Sequence, residues 1–195
     1  MSSYKPGLML LFVWCVVHGS VSHADTQTIT ADSFKCLSEL TPVGDFFVDN
    51  LYGDIDATVA VASSPDGGVY PPGSVVQLVP GEAMVKRDPG FNVATKDWEF
   101  FELAVAADET RITTRGFAET VNRFGGNCFA CHIQARPEWD LICGKDHGCD
   151  PIPLTPVMIK AIQKTDPRCA PQSLTAEEQD ALKALAAATA APPAS

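Results

Sequence analysis

Two thiols and an imidazole stand together in the pentapeptide Cys128-Phe129-Ala130-Cys131-His132, the spacing at which one porphyrin is attached covalently. Each cysteine adds its sulfur to a vinyl group of the same macrocycle, and the histidine that follows is carried under the iron as its proximal ligand. The expected cofactor is therefore one haem c, covalent through Cys128 and Cys131, with His132 on the metal. Two other chemistries use the same residue types: a redox dithiol, and a zinc site completed by Cys143, His147 and Cys149.

The start of the chain bears on that choice. Residues 1–24 carry one cation, Lys5, then an apolar run from Gly7 to Val17 and a polar close at Ser22-His23-Ala24. This is the three-part pattern of a secretory signal peptide, and its apolar run is short for a bilayer span. A periplasmic or secreted protein is expected, with no membrane contact after processing. Covalent haem attachment also takes place outside the cytoplasmic membrane, so leader and motif agree.

With 24 acidic and 14 basic residues the net charge is −10, which argues against nucleic acid and anionic membranes as partners. An acidic surface suits a cationic redox partner such as a small cytochrome, and it is also an ordinary solubility device. Of the seven cysteines, Cys15 falls in the leader. Once haem takes Cys128 and Cys131, the remainder are Cys36, Cys143, Cys149 and Cys169, an even set in an oxidising compartment. More than one pairing is open; the expected one joins Cys143 to Cys149 and Cys36 to Cys169. Closing the longer loop would stabilise the fold by about 4–5 kcal/mol.

The elements that must position the motif read as follows. Phe34 to Leu40 is a short amphipathic piece, with Phe46-Phe47 beyond it, and a helix or two is expected there. Ala57 to Ala62 is small and β-branched and ends in Ser63-Ser64-Pro65-Asp66-Gly67-Gly68, which predicts a strand and a turn. Val69-Tyr70, Ser74 to Val79, Glu82 to Lys86, Asp97 to Ala106 and Arg111 to Arg115 continue the series of strands. Together they predict an antiparallel sheet of about four or five strands. Gly125-Gly126 is expected to let the backbone approach the porphyrin edge. Thr155-Pro156 predicts a helix start, and Thr175-Ala176-Glu177-Glu178 is a capping box opening a helix to about Ala188. The expected organisation is one domain over 25–189, with a Cys-rich extension at 144–189 and a frayed tail at 190–195. The fold class is α+β: mainly antiparallel β-sheet with flanking helices and a covalently attached c-type haem.

Three segments carry a resemblance to a known family. They are Gly73-Ser74-Val75-Val76 with Met84-Val85-Lys86, the aromatic strand Asp97-Trp98-Glu99-Phe100-Phe101, and the haem motif followed by Trp139-Asp140-Leu141-Ile142. In type and order they resemble the cytochrome P-460 family and its relative, the cytochrome c′-beta group, over residues 70–143. The resemblance implies haem on one side of the sheet, a homodimer, and an open or lightly blocked distal side. It also implies a small nitrogenous or gaseous ligand, nitric oxide or hydroxylamine, and in one branch a lysine cross-linked to the porphyrin.

Lys86 is the lysine nominated for that cross-link, with Lys96 second. Phe100 and Phe101 are the candidate distal caps, and Glu99 and Glu102 are candidate proton relays beside them. Asp140 is expected to orient His132 as a hydrogen-bond acceptor. The alternative function is a six-coordinate electron-transfer cytochrome, for which Met84, Met158 or His147 would supply the sixth ligand.

Overall fold

Strand Trp98–Val105 is the axis of the molecule because both of its faces are covered: Trp98, Phe100, Phe101 and Leu103 are all buried. The computed structural model describes residues 28–190. The expected leader, residues 1–24, and all but Ala190 of the expected tail lie outside the described residues. Six strands form one antiparallel sheet in sequence order. They are β1 (Thr41–Val43), β2 (Phe46–Asn50), β3 (Ser74–Gln77), β4 (Glu82–Lys86), β5 (Trp98–Val105) and β6 (Thr110–Arg115). Four helices accompany them: α1 (Ile55–Ala62), α2 (Cys128–His132), α3 (Pro156–Lys164) and α4 (Ala176–Ala190). The molecule is thus α+β, with no described helix long and apolar enough to cross a membrane.

Successive side chains of a strand point to opposite faces, and this divides the core. Val48, Val76, Met84, Trp98 and Phe100 lie on one face with Cys128, Leu141 and Ile142. On the other, Val75, Ala83, Val85, Phe101 and Leu103 pack with Ile29 and Phe34. Full burial of an aromatic such as Phe100 or Phe101 contributes about 1.5–3 kcal/mol. β4 and β5 pair with Met84 opposite Phe100 and Glu82 opposite Glu102.

The expected strand at Ala57 to Ala62 is helix α1. Its alternation of small and β-branched residues is compatible with either period, and the local end chemistry decides. Asp54 caps the helix by accepting the Ala57 N–H, while Ile55, Val59 and Ala62 present one helical face to the core. Val69-Tyr70 is not a strand, and the expected early helix is two short 3₁₀ turns, Ala31–Ser33 and Leu37–Glu39, followed by the β1–β2 hairpin. Strands β3 to β6 and helices α3 and α4 fall where the sequence places them. Thr155 accepts the Met158 N–H, and Thr175 and Glu178 exchange the two bonds of a capping box.

Both expected disulfides are present, Cys36–Cys169 and Cys143–Cys149. The first binds the α3–α4 unit to the start of the domain, where Asp166 also accepts the Leu37 N–H at 3.0 Å and Arg168 donates to the Phe34 carbonyl. Ile162, Leu185 and Val79 close a small separate core beneath that unit.

Candidate functional site

Helix α2 consists of the Cys-x-x-Cys-His segment itself, Cys128–His132. Asn127 starts it: its side-chain oxygen accepts the Ala130 N–H at 2.8 Å, while its amide donates to the carbonyls of Phe117 and Ala118. The Cys128 N–H donates to the Thr120 carbonyl. Helix α2 is thereby tied to the segment that leaves β6. Asn127 was missed in the sequence reading, although an asparagine directly before a helical motif is a standard N-cap signal. Gly125 has φ +80 in a turn closed by Asn122 just before the helix.

Cys128 and Cys131 are the free cysteines among the described residues, three positions apart on one helical turn. Burial, with the nearby Glu82 and Glu102 carboxylates, pushes the Cys128 thiol up to about 12. A redox dithiol requires the opposite, an activated thiol of lowered pKa. The zinc alternative fails on its ligands, because Cys143 and Cys149 are bonded to each other.

His132 Nδ1 lies 2.6 Å from the Leu141 carbonyl oxygen. A carbonyl can only accept, so Nδ1 carries the proton and Nε2 presents its lone pair. Burial pushes the pKa of His132 below the ordinary histidine value, with the Leu141 bond opposing, which keeps the ring neutral at pH 7. Two thiols one turn apart and a neutral imidazole with Nε2 free are the donor set that haem c requires. Phe117 packs edge-on to Phe129, and Phe117, Phe124, Ile133 and Ile152 are exposed around the motif. Phe124 and Ile152 line a groove with Glu82, Arg123 and Leu154.

The segment that supplies Leu141 is anchored from several directions. Gly68 N–H donates to the Glu138 carbonyl, Lys96 Nζ to the Pro137 carbonyl, and Tyr70 N–H to Asp140 Oδ2 at 3.0 Å. At Gly67 a side chain would collide with the Glu138 carbonyl, so the close approach itself requires glycine there. Lys86 Nζ donates to Asp140 Oδ2 at 2.7 Å and to the Lys96 carbonyl at 2.7 Å.

The remaining nominated residues separate by face. Lys86 is neither a solvent-facing charge nor a free amine: it is buried, and its ammonium is held by Asp140. Lys96 is held on Pro137. Asp140 does not reach His132 directly, since the acceptor is the next residue's carbonyl. Phe100 is on the motif's side of the sheet, its ring centroid 5.4 Å from that of His132 and 6.1 Å from that of Phe129. Phe101 points to the opposite face against Phe34, so it does not share a pocket with Phe100. Glu99 is on that opposite face as well, bonded to Arg87 and Arg115. Glu102 is on the motif's side, and its cross-strand neighbour Glu82 is a carboxylate the sequence reading had passed over. Burial raises the pKa of Glu82 above the ordinary glutamate value, while Arg123, whose N–H its Oε1 accepts, opposes this.

Among the candidate sixth ligands, Met84 is buried in the core with Phe100 and Cys128. Met158 lies on α3. His147 is stacked on Trp139 at 3.7 Å, with Nδ1 against the Ile142 carbonyl and the Gly144 N–H. No known protein family, curated protein or solved structure matches this chain.

Proposed function

We propose that the chain carries one haem c through Cys128 and Cys131 with His132 as proximal ligand, and that it binds or oxidises nitric oxide or hydroxylamine, as in the cytochrome P-460 group it resembles. The observation that carries the reading is the state of the motif: two unpaired thiols on one helical turn beside a neutral His132 whose Nδ1 is already bonded to Leu141. Bound there, the haem would supply an iron with one coordination position open to a small ligand.

The chain's own residues hold and shield the proximal ligand. Asn127 fixes the start of helix α2, and Phe100, backed by Phe129, packs on the flank of His132. Glu82 and Glu102 face each other across β4 and β5 on the motif's side. Glu82 Oε1 accepts the Arg123 N–H, so Oε2 is the atom available to hold a proton. Two of the three alternative sixth ligands are engaged elsewhere, Met84 in the core and His147 against Trp139, while Met158 on α3 is the one the electron-carrier reading would use.

The test is the absorption spectrum of the exported protein, ferric, then dithionite-reduced, then with carbon monoxide or nitric oxide. The expected result is a covalent haem, high-spin when ferrous, that shifts on adding the gas. A low-spin spectrum indifferent to the gas would replace this reading with a six-coordinate electron carrier, and absence of covalent haem would overturn it altogether.

A further inference from the structure

Lys86 and Asp140 are both nearly inaccessible to solvent and 2.7 Å apart. Burying such a pair adds little stability over an apolar pair of similar size, because desolvation cancels the attraction. Its surroundings suggest another reason for it. Asp140 and the following Leu141 both have left-handed backbones, φ 48 and φ 68, a conformation that is strained for a residue with a side chain and persists only where contacts hold it. Local turns bond Ile142 N–H to the Trp139 carbonyl and Trp139 N–H to the Arg136 carbonyl, but these do not reach the sheet. Asp140 Oδ2 does, through Lys86 Nζ at the end of β4 and the Tyr70 N–H. Immediately beyond, the Leu141 carbonyl meets His132 Nδ1 at 2.6 Å.

We propose that the Lys86–Asp140 pair is a positioning device for the proximal ligand: it holds the two left-handed residues against the sheet, fixes the Leu141 carbonyl on His132 Nδ1, and so sets how strongly Nε2 donates to iron. The inference rests on the haem reading above and adds the means by which the chain tunes that haem. A firmly held acceptor on the remote nitrogen makes an imidazole ligand more basic, and a more basic axial ligand favours ferric over ferrous iron. Loosening the carbonyl therefore raises the reduction potential.

The experiment uses the haem-loaded, exported protein with three variants: Lys86→Met, Asp140→Asn, and the charge-free double Lys86→Met/Asp140→Asn, which keeps a side-chain acceptor for the Tyr70 N–H. Covalent haem is verified first, and then the midpoint potential and the iron–histidine stretching frequency of the ferrous form are measured. The singles should lose stability, since each leaves one buried charge or polar group without its partner. The double should recover most of it while keeping the electronic change. At a fixed ambient potential its ferric-to-ferrous ratio should fall about tenfold, which is about 59 mV for one electron, and the stretch should move to lower frequency.

A merely structural pair would restore stability and leave potential and stretch at their wild-type values; that result overturns the inference. If the double variant does not accumulate, the near-isosteric Asp140→Asn carries the same two readouts, and unchanged values there overturn it equally. Wild-type protein without covalent haem would sink the underlying reading. Wild-type protein with haem but unmoved variants would sink this inference alone.

Discussion

Lys86 ends β4 and Arg87 directly follows it, yet they serve opposite faces of the sheet in different ways. Lys86 leaves the sheet for Asp140, on the segment that follows helix α2. Arg87 stays within the sheet, bonding Glu99 of β5 at 2.5 Å, and Glu99 also receives Arg115 of β6 at 2.6 and 2.9 Å. The first pair places a loop that reaches His132, while the second joins neighbouring strands over a floor of Phe101 and Phe34. Two buried ion pairs of similar chemistry thus differ in consequence because their partners lie on different elements.

Haem attachment gives the largest test of that division. Replacing both cysteines, Cys128→Ala with Cys131→Ala, should abolish covalent haem completely, whereas Glu99→Gln should leave the haem content of purified protein unchanged; haem-stained gels and the pyridine haemochrome check this. Loss of haem in Glu99→Gln would show that the two faces are not independent.

Stability gives the next. Glu99→Gln leaves Arg87 buried without its carboxylate, and removing one partner of a buried pair costs about 3–5 kcal/mol. The half-exposed Arg115 places the expected loss toward the lower end. It should appear as a lower denaturant midpoint with an unaltered ferric spectrum.

The smallest effects lie in the pH dependence. Asp166 is buried, which raises its pKa, but the Arg168 guanidinium and the Leu37 and Arg168 N–H groups outweigh burial and hold it below the ordinary aspartate value. Its contribution is therefore present above the unfolded-state pKa of about 3.9 and lost as pH falls through the folded one. Asp166→Asn should flatten the acid limb of the stability profile. Glu82 runs the other way, since its raised pKa gives stability below the unfolded value of about 4.3 that is lost as pH rises through the folded value. Glu82→Gln should remove that loss on the motif's side and leave the acid limb in place, as thermal melts across pH would report.

Much of the scaffold was legible because its signals are local. Strand β4 runs from Glu82 to Lys86 as the pattern places it, Thr155-Pro156 and Thr175 open their helices, and the even set of spare cysteines pairs as expected. Helix α1 was misread because Ala57 to Ala62 satisfies two periods at once, and Asp54, the deciding cap, stands before the run. Phe100 and Phe101 were both nominated as distal caps although the alternation legible in Asp97 to Ala106 sends them to different faces. The partnership of Lys86 with Asp140 left no trace in sequence, since 54 positions separate the two residues and neither lies in a recurring motif with the other.

By itself the sequence determined the Cys-x-x-Cys-His spacing at Cys128, Cys131 and His132, the α+β class, and the parity of the remaining cysteines, because each follows from short-range spacing or from counting. Only the tertiary structure decided which nitrogen of His132 is free, which carboxylates accompany the motif, and what the buried lysine holds. Those depend on contacts across β4, β5 and the 137–142 segment, and such contacts are set by packing and desolvation over the whole chain, not by neighbours along it.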